Sequence, residues 1–287
     1  MTMGIDRGEV FHPVEVELLC AFAEVEAPFP LEVPSSGETE VERSVMFAGA
    51  SDLLTERGLA DENGPLGLAD DFVYLLRNAT GVLDLVLAKE RLVFGAAVLT
   101  YRDEALLVTQ DVTDPDRMMR MKAVTLDDAV EDLIRLIPAL PASVSAPFNV
   151  PRRAVQDAFE VLRGRMPAAE DPAADPSDMD TTTEIRVPKP LSREEIDELL
   201  RAHGIDEAVA RRMVTHLQPV LGNGQAGVAK RDDSEDQWHR AGEELRWLDT
   251  QRGRFRLAED GEWISVNPFT EDELRAGLRR LASAIRS

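Results

Sequence analysis

One cysteine, four histidines and no long apolar run set the first limits on this chain of 287 residues. A lone Cys20 excludes an intramolecular disulfide and any cysteine-based metal cluster. It lies in the apolar run Val14–Ala23 and reads as a buried small hydrophobe. His12, His203, His216 and His239 show no H-E-x-x-H or other close ligand spacing, so each reads as a surface or helix-end position. A metal site would have to be assembled from carboxylates at distant positions. No G-x-S-x-G elbow marks a serine nucleophile. No segment approaches the roughly 18 uninterrupted apolar residues of a membrane helix. The N-terminal stretch, with Asp6, Glu9 and Glu15, lacks the basic-then-apolar layout of a signal peptide. The expectation is a soluble, cytoplasmic protein without stable membrane insertion.

Positive charge is scarce as well. The chain has 32 Lys plus Arg against 54 Asp plus Glu, a net charge of −22. Such a surface repels nucleic-acid phosphates and anionic headgroups, which argues against nucleic acid as a partner. The two helices expected between Ser192 and Leu217 are acidic, which also argues against a DNA-binding helix-turn-helix.

What the chain does have is clearest at its C-terminal end. Strands are expected at Leu245–Asp249, Arg254–Ala258 and Trp263–Asn267, with a tight turn at Glu259-Asp260-Gly261. Phe255 and Leu257 share one face, with Arg254 and Arg256 on the other, the face toward water or toward a docking partner. Trp247, Phe255 and Trp263 read as core. Thr270 with Glu273 forms a capping box, Phe269 with Leu274 a hydrophobic staple, and Leu274, Leu278, Leu281 and Ile285 line the helix that follows.

The first half has a similar order. A helix is expected over Val14–Glu26, then at best a short edge strand at Leu31–Val33 between prolines. Thr39 and Glu42 box the start of a helix that turns Val41, Val45, Met46 and Leu53 inward and stops near Gly58. Asp61 to Gly67 reads as a loop, and Leu68 to Ala79 as a helix burying Phe72, Leu75 and Leu76. Val82–Ala88, Leu92–Tyr101 and Ala105–Gln110 read as strands. A polar loop through Asp114-Pro115 leads to Thr125, the N-cap of a helix that buries Leu126, Val130, Leu133, Ile134 and Ile137. Both halves thus end as a meander feeding a Thr-capped helix, although no residue-level identity links them.

Between the halves, Pro151 is placed to start a helix through Phe159 and Leu162. The segment 166–190 is rich in Pro, Asp and Thr, with six acidic residues between Glu170 and Glu184. It cannot bury enough apolar surface to offset its ordering entropy and is expected to be a mobile linker. Ser192 with Glu195, and Leu191 with Ile196, repeat the box and staple. Gly204 ends that helix, and Asp206 caps another that carries Val209, Met213 and Leu217.

Gly222-Asn223-Gly224-Gln225-Ala226-Gly227 matches G-x-G-x-x-G, but that fingerprint works only between a strand and a following helix. Here a helix precedes it and Val228 to Asp233 reads as a strand, so it is a Gly-rich strand or turn. Asp127-Asp128 and Asp232-Asp233 are adjacent carboxylates whose side chains diverge, suited to helix starts or loops. No cofactor is called for.

Several phrases occur in an order that resembles one known family. Leu245-Arg246-Trp247-Leu248-Asp249-Thr250, Arg252-Gly253-Arg254-Phe255 and Gly261-Glu262-Trp263-Ile264-Ser265-Val266-Asn267-Pro268 look like its V-x-D-T, G-R-F and W-x-x-V-x-P run. Gly224-Gln225-Ala226-Gly227 looks like its G-Q-x-G strand start, and Arg57-Gly58-Leu59 like its early R-G-L. The family is the EspG family of ESX (type VII) secretion-associated proteins from actinobacteria, and the resemblance spans nearly the whole chain. It implies an α+β fold over residues 1–287: a central antiparallel sheet built from two pseudo-symmetric halves, about 1–150 and about 187–287, with flanking helices. It implies a non-enzymatic chaperone whose partner is a PE–PPE heterodimer, bound at an exposed apolar helical tip, kept soluble and directed to its secretion system. The short turn at Lys89-Glu90-Arg91 departs from the longer loop common in mycobacterial members, so a WXG100-like or other helical-hairpin substrate is the alternative.

The contact positions implied are Lys89, Arg91, Gln225, Gly227, Lys230 and Arg231, with Arg246 and Arg254 added from the C-terminal sheet. The basic ones among them are equally suited to polar turns and edge strands that discourage aggregation. Readings from other classes are a metal- or nucleotide-dependent enzyme using the carboxylates and the Gly-rich run, and a self-associating scaffold, which would make the protein a homodimer.

Overall fold

The computed structural model describes residues 8–89, 92–102, 104–153, 192–202, 211, 215–231 and 238–285. In chain order the first half contributes β1 (Glu9–Phe11), α1 (Pro13–Ala23), α2 (Glu40–Glu56), β2 (Ala60–Asp61), β3 (Gly64–Pro65), α3 (Leu68–Asn78), β4 (Gly81–Lys89), β5 (Leu92–Tyr101), β6 (Glu104–Asp111), β7 (Met119–Val124) and α4 (Leu126–Leu136). Then come β8 (Phe148–Pro151), α5 (Arg193–Ala202), β9 (Val220–Arg231), β10 (Trp238–Thr250), β11 (Gly253–Asp260), β12 (Trp263–Pro268) and α6 (Glu271–Ile285). The fold is α+β, a large antiparallel sheet of ten strands flanked by helices. The chain divides into two compact units, Met1–Pro141 with Gly222–Trp247 and Thr270–Ser287, and Ala142–Leu221 with Leu248–Phe269.

In the first unit neighbouring strands run in the order β1, β7, β6, β5, β4, β9, β10. Central strands buried on both faces need apolar residues at nearly every position, and Val82, Leu83, Leu85, Val98, Leu99, Leu106, Leu107 and Val108 are all nearly inaccessible. Helices cover the sheet because their apolar residues recur at helical spacing: Phe72, Leu75 and Leu76 of α3 join Val16 and Leu19 of α1 in one core. Each such burial contributes about 1.5–3 kcal/mol. The helix starts are built by side chains. His12 caps α1 while the Glu15 carboxylate accepts its backbone N–H at 2.7 Å. Thr39 and Glu42 box α2, and Thr125 Oγ1 accepts from Asp128 N at 3.1 Å at the start of α4. Thr270 and Glu273 close the box of α6.

In the second unit β11 pairs with β12 and β12 with β8, both antiparallel. Phe148, Val150, Phe255 and Val266 form its small core, with Leu217 and Leu257 against it. Ser192 and Glu195 exchange the expected bonds at the start of α5, with Ser192 N donating to Glu195 Oε2 at 2.7 Å.

Several expectations are overturned. The face of α2 expected inside is outside: Val41 is 74% exposed, Val45 68%, Met46 40% and Leu53 52%. Ala50 and Leu54 are buried instead, with Phe47 half-buried. Two ion pairs set this rotation, Arg43–Glu17 at 2.9 Å and Arg57–Glu15 at 3.1 Å, each tying α2 to a nearly buried carboxylate of α1. Leu31–Val33 forms no strand, and the stretch Asp61 to Gly67, expected as loop, contains most of the β2–β3 hairpin, which begins at Ala60. Pro151 closes β8, and helical backbone begins only at Arg152. Trp263 is 49% exposed rather than core, whereas Trp247 and Phe255 are buried as expected. Arg254, placed on a solvated or docking face, is 1% exposed. The proposed linker 166–190 and the continuation of the helix through Leu162 lie outside the described residues, and the helix expected from Asp206 through Leu217 is described only at 211 and 215–217, where the backbone is helical.

Candidate functional site

The most elaborate polar arrangement of the first unit lies on one face of β4, β9 and β10. The β4–β9 register pairs Asp84 with Gly227 and Val86 with Gln225, so all four residues share that face. Glu244 of β10 is its centre. Its Oε1 accepts from Gln225 Nε2 at 3.1 Å and from Arg240 Nε at 2.8 Å, and its Oε2 from Arg246 Nε at 2.7 Å. Arg240 also reaches Asp84 Oδ2 through Nη1. Gly227 makes room for this, because a Cβ there would stand 2.4 Å from Arg240 Nη1. Phe29, more than half exposed, lies over the guanidinium with Arg240 Cζ 5.5 Å from its ring centre.

Asp84 is 1% exposed, and its Oδ1 has no hydrogen-bond partner among the described residues. Burial pushes its carboxyl up to about 6, against the pull of Arg240, and nearby Glu244 pushes the same way as burial.

Three of the expected contact residues, Gln225, Gly227 and Arg246, therefore meet around Glu244. Lys89 stands exposed at the end of β4, paired in register with Leu92, and Arg91 lies outside the described residues. Lys230 is opposite Gly81 and so points to the other face of the sheet. Arg231 is engaged within the unit: its Nη1 donates to Leu76 O at 2.8 Å, Nη2 to Arg77 O, and its guanidinium covers Trp238. Arg254 belongs to the second unit and is locked to Asp249.

Asp84, Arg240 and Glu244 were not singled out from sequence. The available signal was a charged residue inside the otherwise apolar run Val82–Leu87, which demands a buried partner. The stretch Trp238–Glu244 lacks apolar alternation, so β10 is far longer than the Leu245–Asp249 expected. Paired charges hold its first half.

Little here suits chemistry. Burial pushes the Cys20 thiol up to about 12, the reverse of an activated thiolate. In the second unit Ser145 Oγ lies 2.7 Å from His216 Nδ1, but the same hydroxyl bonds Ser143 Oγ at 2.9 Å, a turn-holding network. Among the described residues no group of three His, Cys, Asp or Glu is placed to hold a metal ion, and no helix is long and apolar enough to cross a membrane. The arrangement around Glu244 presents hydrogen-bonding groups beside the exposed ring of Phe29.

Comparison with known proteins gives one family. The model of the EspG family matches residues 12–280. No curated protein sequence matches the chain. Among solved structures the chain is similar to the Mycobacterium tuberculosis type VII secretion system chaperone EspG5, solved in complex with the PE25-PPE41 dimer. The identity is 12%, the TM-score 0.59, and the match covers 96% of this chain and 95% of that one. At that identity the likeness is one of fold.

Proposed function

Because the chain belongs to the EspG family, with residues 12–280 matched, we propose that it is a chaperone of type VII secretion. It binds a helical secretion substrate, a PE–PPE heterodimer or a related helical hairpin, and keeps it soluble in the cytoplasm on the way to its secretion system. The role is binding rather than catalysis. The family match over nearly the whole chain is the observation that carries this reading, and the partner of the EspG5 relative supports the substrate class. A secretion substrate with an exposed apolar tip aggregates until a partner covers it, and preferential binding to the folded form protects it by mass action.

The contact surface we assign is the β9–β10 face with Gln225, Gly227 and Arg246, extended by Arg240 and Phe29; Lys89, eight residues along β4 from Gly81, falls with Lys230 on the opposite face and is left out. Arg254 is left out because its guanidinium is buried. Co-expression with the helical-hairpin proteins encoded nearby, followed by size exclusion, tests the reading. A stoichiometric complex weakened by Arg246→Glu is expected; failure of every such substrate to co-elute overturns it. The register that ends at Lys89↔Leu92 favours a second substrate class, because so short a β4–β5 connection offers little loop to a PE–PPE tip. A WXG100-like or other helical hairpin is that alternative.

A further inference from the structure

We infer that the outward face of α2 is a second docking surface, built for an amphipathic helix of another protein whose apolar seam is flanked by lysine or arginine. The inference is independent of the chaperone reading and of the β9–β10 face. Val41, Val45, Gly49 and Leu53 recur every fourth residue, so they form one ridge along the helix, and Met46 widens it. Four of these five are large apolar side chains 40–74% exposed, although scattered single apolar residues are the norm on a monomer surface. The inward face of α2 is already occupied by Ala50, Leu54 and the ion pairs to α1.

Gly49 points the same way. Glycine is among the poorest helix formers, and it sits in the third turn of a long helix. A Cβ at this position would meet nothing within 4 Å, so no packing inside the chain requires the missing side chain. Its absence opens a notch in the ridge where another helix backbone approaches closely.

Charge selects the occupant. The exposed ionic residues bordering the ridge are Glu42, Asp52 and Glu56, with Glu40 at the helix start, while Arg43 and Arg57 are engaged by Glu17 and by Glu15 and Glu9. A second copy would bring two acidic rims together in a chain of net charge −22, whereas a basic-flanked helix neutralises the rim.

The test uses the full chain and a synthetic helical peptide of heptads with leucine at a and d and lysine at e and g, titrated by calorimetry. Specific binding is expected, weakened at least about tenfold by Val41→Ser with Val45→Ser, and absent for the peptide with glutamate in place of lysine. Gly49→Gln is expected to raise the thermal midpoint of the free protein while weakening the peptide, a combination that a merely structural role for Gly49 does not produce. Unchanged affinity in these variants, which places the peptide elsewhere on the acidic surface, overturns the inference. So does concentration-dependent dimerisation of the chain that Val45→Ser abolishes, which makes the occupant a second copy.

Discussion

Arg254 grips Asp249 with two nearly parallel bonds, Nε to Oδ1 at 2.6 Å and Nη2 to Oδ2 at 2.9 Å, in a site where the guanidinium is 1% exposed. The backbone of Arg254 adds to the anchorage, its carbonyl accepting from Ser143 N at 3.2 Å and Phe269 N at 3.0 Å. Breaking a buried pair by removing one partner strands the other charge, which costs about 3–5 kcal/mol. Asp249→Ala is therefore expected to lower unfolding free energy by about that much in urea titrations. Adding Arg254→Met should recover a good part of the loss; a double variant as unstable as the single would show that desolvated charge is not the cause.

Asp84 gives the fold a pH dependence of unusual sign. Its folded value near 6 lies above the unfolded value of about 3.9. Between these values the folded state holds a proton that the unfolded state has released, so the contribution of this group falls as pH rises and levels off above the folded value. The penalty at neutral pH is on the order of 3 kcal/mol. Asp84→Asn should gain stability relative to the parent on going from about pH 5 to about pH 7.5. An unfolding free-energy difference between the two proteins that stays constant over that range would refute the assignment.

Trp247 depends on the bareness of Gly224. A Cβ at position 224 would lie 2.0 Å from Cζ2 of the indole and 2.2 Å from Cε2, so alanine there has to displace a ring that is itself buried. Overpacking of this kind costs about 1–3 kcal/mol. Gly224→Ala should lower the denaturant midpoint, and Trp247→Leu in the same chain should return part of the loss, seen as strong non-additivity in a double-mutant cycle.

The rotation of α2 makes neighbours behave oppositely. Leu54, at 1% exposure, should lose about 2–5 kcal/mol on truncation to alanine. Leu53, half exposed, should change by within about 0.5 kcal/mol. Equal losses at both positions in chemical denaturation would mean that the ridge is covered in the free protein.

Much of this fold is legible in the residues because local rules and tertiary packing agree. The boxes at Thr39, Ser192 and Thr270 and the apolar stripes of α3 and α4 fall where the sequence places them. The β4–β6 meander and the Asp-Gly turn before β12 do too. Several of the failures share one cause, which is partners distant in sequence. Two carboxylates of α1 decide which way α2 faces, and nothing within α2 announces them. The strand β7 follows a loop of Asp, Pro and Arg, yet its alternation of Met119 and Met121 with Arg120 and Lys122 carries the period of a strand. The first half of β10 has no such period, because charges reaching across to β4 and β9 fix it. The proposed docking face is illegible for the same reason: Glu244 becomes a centre only when Gln225, Arg240 and Arg246 converge on it.

That convergence bears on how a partner would be chosen. Each cationic group around Glu244 already has a resident carboxylate, so an incoming acid gains by exchange rather than by filling an empty site. An exchange of like for like returns little free energy per contact, and strongly acidic proteins in general receive no reward for approaching. Only a surface that also covers Phe29 and seats its carboxylates where Glu244 releases them gains enough to stay. On the proposed docking role, the sheet face discriminates by substitution, tolerating encounters with many proteins and retaining those that fit the whole pattern.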